Sequence, residues 1–332
     1  MFSNRQLFVA FKVLIILTVC GFWAGTAIAY FGVQNAITTR VEDRMFQDTS
    51  SISRNLSRQM ATYSDLLYDV RAYVLFDASA RFGEKQWQDY IVLKDTFNRY
   101  RGIGAVALIK YIANNDTEGA TAQMRETFPG FDSIWPASET RDYAVVGLAS
   151  YSEELQSSEL GYNLFSDGMR KQTLEKAAER RQPEATPPVT LVSGDDGFII
   201  SLPIYEQDST LWGFGNVAFK SEVFFEDAFK DVPSEFNIRV TDVTDEQEYP
   251  LYSRSLLSSP RDSIVREDIL SVAHRKWRIT YSVPESYYTE GVYRVVPLLI
   301  LLGGTILSVT ALVLGSILIR INKKLYDNNK RA

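Results

Sequence analysis

Two long uncharged apolar stretches constrain this chain more than any other feature. The first runs from Val13 to Val33 over 21 residues, and the second runs from Val295 to Ile319 over 25 residues. A helix needs about 20 apolar residues to cross ~30 Å of hydrocarbon at ~1.5 Å per residue. Both stretches therefore predict transmembrane helices, at 13–33 and 295–319, on either side of a large intervening segment.

The first stretch also has an interpretation as a cleavable signal peptide. Ala27-Ile28-Ala29 has the small-x-small pattern of a cleavage site, and Arg5 with Lys12 forms a basic start. The apolar run is, however, longer than the usual signal core of about 7–15 residues. The polar segment that follows it continues in a helical pattern. These two observations favour an uncleaved membrane anchor, and cleavage stays open as the alternative.

The short tails predict the orientation in the membrane. The N-terminal tail, 1–12, carries two basic residues and no acid, and the C-terminal tail, 320–332, carries five basic residues and one acid. Because positively charged flanks stay in the cytoplasm, both ends are expected inside and residues 34–294 outside. The chain is thus expected in the plasma (inner) membrane as a two-pass protein, with its large segment periplasmic in a Gram-negative cell.

The outer segment is strongly acidic. Of 35 basic and 41 acidic residues, the tails hold seven and one, which leaves 28 basic and 40 acidic residues outside and a net charge of −12. This charge argues against nucleic acid and against an anionic membrane surface as partners. The single cysteine, Cys20, lies in the first apolar stretch, so the outer segment contains no disulfide.

Residues 34–75 predict a long stalk helix leaving the membrane. Its apolar side chains follow one another at spacings of 4 and 3, the heptad pattern. This stripe comprises Leu56, Met60, Tyr63, Leu67, Val70 and Val74. The stripe predicts either a seam between two copies in a homodimer or a face packed on the chain's own domain, and the two can divide the helix between them.

Helical and strand patterns alternate beyond Gly83. Apolar runs bounded by turn residues predict strands at 102–112, 143–149, 189–192, 198–205, 211–219, 236–241, 248–252 and 276–283. Helical patterns cover 84–100, 116–128, 167–180 and 221–229, with Ser166 as the cap of the third. Helices beside a largely antiparallel sheet define an α+β fold. The predicted architecture is two transmembrane helices flanking an extracytoplasmic domain with a long N-terminal stalk helix.

The residues that most catalytic and metal sites require are missing from the sequence. The sequence has one histidine, His274, which precedes two cationic residues, and one cysteine, Cys20. One residue of each type cannot build a zinc site or a catalytic triad. No phosphate-binding or dinucleotide-binding glycine motif occurs. We therefore expect no enzymatic activity, no catalytic residue, no metal and no cofactor, although a hydrolase using paired carboxylates stays open as a minor alternative.

Several short motifs stand in a fixed order between about residues 75 and 285. They are Phe128-Pro129-Gly130-Phe131, Asp142–Val146, Gly161–Leu164, Ser166–Arg170, Thr186–Leu191, Gly197–Tyr205 and Gly213-Phe214-Gly215. This ordered set, flanked by two membrane helices, resembles the CHASE domain. That family is the extracytoplasmic sensor module of plant cytokinin receptors and of many bacterial sensor kinases and cyclases.

The resemblance implies a sensor domain at 76–285, built from two PAS-like α/β subdomains, with a small ligand in the membrane-distal one. The ligand-binding residues that it implies are Tyr143, Gly147, Tyr151, Thr186, Leu191, Ile200 and Leu202. Tyr151 stands where the plant receptors carry an aspartate that bonds the purine of the ligand, which argues against cytokinin-type recognition. The apolar members of the set fit ordinary sheet core equally well.

The resemblance favours a receptor that passes a signal through its two membrane helices. The tail at 320–332 is too short for a kinase or cyclase. The family therefore implies either a longer protein that continues into a histidine kinase or diguanylate cyclase, or a separate partner of that kind. A membrane-anchored regulatory or scaffold protein that binds another extracytoplasmic protein is the alternative.

Overall fold

The computed structural model describes residues 4–76, 82–136, 141–152, 159–255, 263–289 and 291–329. The chain divides into two compact units. One is formed by Asp48–Val283 and contains both β-sheets, and the other is formed by Met1–Gln47 with Pro284–Ala332. The structure mixes helices and sheets, as the sequence predicts.

Two long helices contain the apolar stretches. Helix α1 (Asn4–Phe76) runs for 73 residues without a break, and helix α8 (Val292–Asn329) is the last element among the described residues. Among the described residues, these two are long and apolar enough to cross a membrane. Gly304 of α8 lies directly against the side chain of Thr26 in α1, because a glycine lets two apolar helices approach closely.

The heptad stripe of α1 is buried within the chain's own domain. Its six members, Leu56 to Val74, are each at most 5% exposed. The Tyr63 hydroxyl donates a hydrogen bond of 2.8 Å to the carbonyl of Arg101, which ties the helix to the start of the sheet. The prediction of a face packed on the chain's own domain is confirmed, and the seam between two copies stays a prediction.

A six-stranded antiparallel sheet forms the larger half of this domain. Its strands are β1 (Ile103–Ile112), β2 (Tyr143–Tyr151), β3 (Glu184–Ala185), β4 (Val189–Thr190), β5 (Asp196–Tyr205) and β6 (Leu211–Lys220). Their order is β2-β1-β6-β5-β3, and β4 also pairs with β5. These strands follow from apolar runs, because a strand buried on both faces needs apolar residues at nearly every position.

The two faces of this sheet meet different partners. Gly215 faces Val70 of α1, and its cross-strand neighbours Leu108 and Leu202 share that face. Because side chains alternate along a strand, the adjacent residues point the other way. That second face, called here the α5 face, is covered by α5 (Gly168–Arg180), whose Leu174 packs in one buried cluster with Ala107, Ile109 and Phe214.

The remaining helices of this half are α2 (Glu84–Leu93), α3 (Thr96–Arg99) and α4 (Thr117–Thr127). The single helix predicted at 84–100 is broken, because Asp95 adopts a left-handed conformation with φ 51° between α2 and α3. The predicted cap of α5 was also wrong by one residue. Asp167, not Ser166, caps this helix, since its carboxylate accepts from the backbone N–H groups of Met169 and Arg170.

A four-stranded sheet follows helix α6 (Ser221–Ala228). It contains β7 (Asn237–Asp242), β8 (Tyr249–Arg254), β9 (Ser263–Val272) and β10 (Arg275–Pro284), in the order β8-β7-β10-β9. Helix α7 (Ser286–Thr289) precedes α8. The two sheets share an aromatic core, in which the ring centroids of Phe198 and Trp277 lie 5.0 Å apart.

Candidate ligand-binding site

A cavity lies on the α5 face of the six-stranded sheet. Its floor is made of three small side chains, Ala105, Ala107 and Ala218, which come from the adjacent strands β1 and β6. The empty space measures about 440 Å³, including its mouth, which is open to solvent.

The walls of the cavity are mostly apolar. They are formed by Ile109, Val146, Leu164, Leu191, Val192 and Ile199. Four residues bring polar groups to this lining, namely Glu159, Tyr162, Arg170 and Asn216. An apolar cavity with a few placed polar groups is typical of a small-molecule site.

Arg170 reaches the cavity from the first turn of α5. Its Nη1 donates to the Tyr162 hydroxyl at 3.1 Å, and its Nη2 donates to the carbonyl of Thr190 at 2.9 Å. The Nε of this side chain is buried and has no hydrogen-bond partner among the described residues. The guanidinium is therefore held in place by neutral groups and keeps one donor unused.

Glu159 supplies the opposite charge. Burial raises the pKa of its carboxyl group, against the opposing influence of Arg170 and of a hydrogen bond from the backbone of Val192. In the described part of the chain, Glu159 and Arg170 make no ion pair with each other, although they line the same cavity.

Asn216 lies in the middle of β6, opposite Ala107 of β1 and Ser201 of β5. Its side chain is 5% exposed, and its Oδ1 has no hydrogen-bond partner among the described residues. A buried polar atom without a partner costs roughly 1–3 kcal/mol. This cost is expected where a ligand supplies the missing donor.

A smaller cleft adjoins the cavity and shares Ala105, Glu159, Leu191 and Ala218 with it. Two of the predicted ligand-binding residues lie in this region. Leu191 lines both the cavity and the cleft, and Tyr151 lines the cleft, where its hydroxyl accepts a hydrogen bond of 3.0 Å from the Glu159 backbone N–H.

Three further predicted ligand-binding residues lie in β5 or beside it, namely Ile200 and Leu202 in β5 and Thr186 directly after β3. Ile200 and Leu202 lie on the face of the sheet that packs against α1, opposite to the cavity, and each is 1% exposed. Thr186 is buried beside Ile199, and its hydroxyl accepts that residue's backbone N–H at 3.0 Å. In this structure Ile200 and Leu202 act as sheet core, while Thr186 fixes the backbone of β5.

The last two predicted residues lie away from the cavity. The Tyr143 hydroxyl shares a hydrogen bond of 3.1 Å with Thr117 of α4. Gly147 lies against the ring of Phe128 and lines a separate surface cleft with Trp135. The structure thus brings two of the seven predicted residues together at the cavity and its cleft, and a ligand role for any of them stays a prediction.

Sequence reasoning missed the polar groups that converge on the cavity. Asn216 was detectable, because it is the one side chain with a hydrogen-bond acceptor in the apolar run from Leu211 to Phe219. Glu159 and Arg170 carry no such signal, since both lie in segments where charged residues are common. Among the described residues, no group of three or more His, Cys, Asp or Glu is placed to hold a metal ion.

Comparison with family models matches residues 80–252, just over half of the chain, to the family described as the CHASE domain. No curated protein sequence matches the chain. The matched segment contains the whole six-stranded sheet and the cavity on its α5 face.

Three of the solved structures that this chain matches are bacterial ligand-binding or sensory domains. An extracellular ligand-binding receptor from Desulfohalobium retbaense is 11% identical with a TM-score of 0.47, over 72% of this chain but 40% of that one. The ligand-binding domain of the Pseudomonas aeruginosa amino acid chemoreceptor PctB, in complex with L-Arg, is 11% identical with a TM-score of 0.46, over 76% and 99%. The periplasmic sensory domain of the Campylobacter jejuni chemoreceptor Tlp1 is 10% identical with a TM-score of 0.42, over 78% and 98%. At these values the likeness does not extend to ligand or function.

Proposed function

Since this chain belongs to the CHASE domain family, we propose that it is a transmembrane receptor that binds a small molecule in the cavity on the α5 face. The observation that carries this proposal is the cavity itself. It combines an alanine floor and apolar walls with a buried amide that lacks a partner. Such a combination costs stability in the empty protein and is repaid when a ligand binds.

We assign the six-stranded sheet with α2–α5 and the four-stranded sheet with α6 to two PAS-like subdomains, of which the first is the ligand-binding, membrane-distal one. As part of this proposal we keep the domain limits predicted from the sequence, which are a stalk helix at 34–75 and a sensor domain at 76–285. The positively charged tails support a topology in which the sensor domain is extracytoplasmic and both ends are cytoplasmic.

Transmission of the signal is proposed to run through α1. This helix packs on the face of the sheet opposite the cavity, through Val70 at Gly215 and Tyr63 at Arg101, and it continues without a break into the first apolar stretch. A ligand signals only if it binds two arrangements of these contacts with different affinity. The reaction on the cytoplasmic side is proposed to belong to a kinase or cyclase, in a continuation of the chain or in a partner, and the sensor itself is proposed to be non-enzymatic.

The proposal is tested by a thermal-shift screen of the 332-residue chain in nanodiscs against a library of purines, amino acids and organic acids. A hit must raise the melting temperature in proportion to concentration. It must also be lost in Ala218→Leu, because the added side chain fills the floor of the cavity. Ala178→Leu is the matched control, since Ala178 is another partly buried alanine that does not line the cavity.

A screen in which the folded chain responds to no compound would contradict the receptor and favour the alternative, a scaffold that binds another extracytoplasmic protein. One observation favours that alternative. Three apolar side chains are strongly exposed, namely Phe76 at 94%, Val92 at 74% and Leu93 at 86%. Val92 and Leu93 are neighbours at the end of α2, and contiguous exposed apolar surface is a feature of protein-binding sites.

A further inference from the structure

The geometry points to a more specific ligand: we propose that the cavity binds a small zwitterion of the α-amino acid type, whose carboxylate meets Arg170 and whose ammonium meets Glu159 and Asn216. This inference rests on the proposed function and adds the chemical class of the ligand. It is carried by three polar side chains that line one cavity, of which Arg170 keeps a buried Nε and Asn216 a buried Oδ1 without a partner among the described residues.

The cavity lining contains two side chains of opposite charge. Glu159 and Arg170 line the same cavity and influence each other electrostatically, but they form no direct ion pair. Opposite charges in a partly buried site usually meet, because an unpaired charge is expensive away from water. A gap between them fits a molecule that carries both signs and bridges the two side chains.

The Arg170 side chain is the positive group in this lining. The Arg170 guanidinium is fixed by the Tyr162 hydroxyl and the carbonyl of Thr190, both of which are uncharged. Its Nε donor remains buried and unused. Guanidinium donors bind planar carboxylates well, because the N–H groups match the two carboxylate oxygens in direction and spacing.

The ligand must also bring a hydrogen-bond donor. Asn216 is 95% buried, and its Oδ1 is an acceptor without a partner among the described residues. The Glu159 carboxylate is a second acceptor in the same lining. An ammonium group has three N–H donors, so it can bond both acceptors at once.

The size of the cavity limits the remainder of the ligand. The floor of Ala105, Ala107 and Ala218 belongs to an empty space of about 440 Å³ that opens to solvent, and the adjoining cleft extends that space past Leu191. The walls nearest to the floor are aliphatic. This aliphatic lining favours a ligand with a short apolar side chain.

Other ligand classes leave part of this arrangement unused. A simple carboxylate would bond Arg170 but leave Glu159 and Asn216 without a donor. A simple amine would do the reverse and leave Arg170 without an anion. Since hydrogen bonds to charged groups are the stronger ones, each omission is expected to weaken binding by about 10- to 100-fold.

The experiment compares three molecules of one shape on the 332-residue chain in nanodiscs by calorimetric titration. L-valine carries both charged groups, 3-methylbutanoate lacks the ammonium, and isobutylamine lacks the carboxylate. We expect valine to bind at least tenfold more tightly than either analogue. Ala218→Leu should abolish the binding, while Ala178→Leu should preserve it.

Two charge variants separate recognition from folding. Glu159→Gln should weaken valine at least tenfold and leave 3-methylbutanoate unchanged, whereas Arg170→Gln should weaken valine and leave isobutylamine unchanged. Since Arg170 also bonds the protein, Arg170→Lys provides a second variant that keeps the charge and should retain part of the affinity. A purely structural role of these residues would weaken the binding of both analogues and would not spare one of them.

The outcomes distinguish this inference from the proposed function. Two results would overturn the proposal of a zwitterionic ligand and leave the proposed receptor function intact. They are equal binding of valine and one of its analogues, and binding of a purine that Ala218→Leu abolishes. A folded chain to which no compound binds would overturn both.

Discussion

Two buried asparagines use their amides in different ways. Asn163 is fully buried, and its Oδ1 accepts backbone N–H groups from Ala144 and Phe165, each at 3.2 Å. Asn216 is nearly as buried, but its Oδ1 accepts nothing among the described residues. The Asn163 oxygen thus holds a turn against the sheet, although the Nδ2 of the same amide has no partner among the described residues. The Asn216 oxygen holds no backbone group in place and is maintained at a cost to the empty protein.

This contrast predicts opposite effects of one substitution. Asn216→Leu should raise the free energy of unfolding of the ligand-free chain by about 1–2 kcal/mol, because an unpaired polar atom is replaced by an apolar side chain. Asn163→Leu, the matched control, should lower it by about 2–4 kcal/mol, since two backbone donors lose their acceptor. Urea unfolding followed by tryptophan fluorescence measures both, and a loss of stability in Asn216→Leu would contradict the assignment.

A pH dependence is expected from Tyr281. Burial raises the pKa of this tyrosine to about 12, and its hydroxyl lies 2.9 Å from that of Ser53 in α1. The folded state therefore keeps its proton more tightly than the unfolded state, whose pKa is about 10. The contribution of Tyr281 to the free energy of unfolding is fully present below pH ~10. Above that pH it falls, approaching a slope of about 1.4 kcal/mol per pH unit, until pH ~12.

The test compares wild type with Tyr281→Phe at pH 8, 10 and 11. The variant should lose about 1 kcal/mol at pH 8, because the hydroxyl bond is removed. Between pH 10 and 11 the difference should move by about 1 kcal/mol in favour of the variant. Parallel stability curves across this range would show that Tyr281 does not titrate in the folded state.

The candidate site was only partly predictable from individual residues. Leu191 and Tyr151 were reached by resemblance and lie at the cavity or its cleft, while Ile200 and Leu202 face α1. The pattern of an apolar strand does not tell which of its two faces bears a cavity, because both faces are buried. That information arises only when α1 covers one face and α5 the other.

At the level of elements, the contact between α1 and the sheet depends on a missing side chain. A Cβ at Gly215 would lie 2.9 Å from Cγ1 of Val70, which is too close for an ordinary contact. Gly215→Ala should therefore lower the free energy of unfolding by about 1–3 kcal/mol through overpacking. Thermal unfolding of the variant measures this loss.

Two controls accompany Gly215→Ala. Gly168, the first residue of α5, has open space around it, so Gly168→Ala should be neutral or stabilising by up to about 1 kcal/mol. Adding Val70→Ala to Gly215→Ala should restore part of the loss, because the clash is relieved. Losses that simply add in the double variant would show that the two residues do not interact.

The elements were largely predictable, and the exceptions have physical causes. The sequence predicts strands β1, β2, β5 and β6, because short apolar runs bounded by turn residues indicate buried strands. Strand β9 was missed, because its apolar residues Val265 and Ile269 are exposed and stand among charges rather than in a run. The break between α2 and α3 was also missed, since nothing in the local pattern marks Asp95 as left-handed.

For the whole molecule, the two candidate membrane spans and the charged tails predict a definite topology. Cys20 is the only cysteine, so Cys20→Ser yields a background free of thiols. In that background, Ser209→Cys in the exposed β5–β6 turn should react with an impermeant maleimide on intact cells. Lys323→Cys in the exposed last part of α8 should react only after the cells are permeabilised. Labelling of Lys323→Cys alone on intact cells would reverse the orientation.

The unbroken course of α1 has a consequence for how its length can vary. Each added residue advances a helix by ~1.5 Å and turns everything beyond it by about 100°. Two extra residues in the stretch after Gly32 would thus swing the buried stripe to the far side of the helix, whereas seven would return it to within about 20°. The stalk should therefore tolerate changes of length only in steps of one heptad. Insertions of seven residues should preserve signalling, whereas insertions of two or five should abolish it.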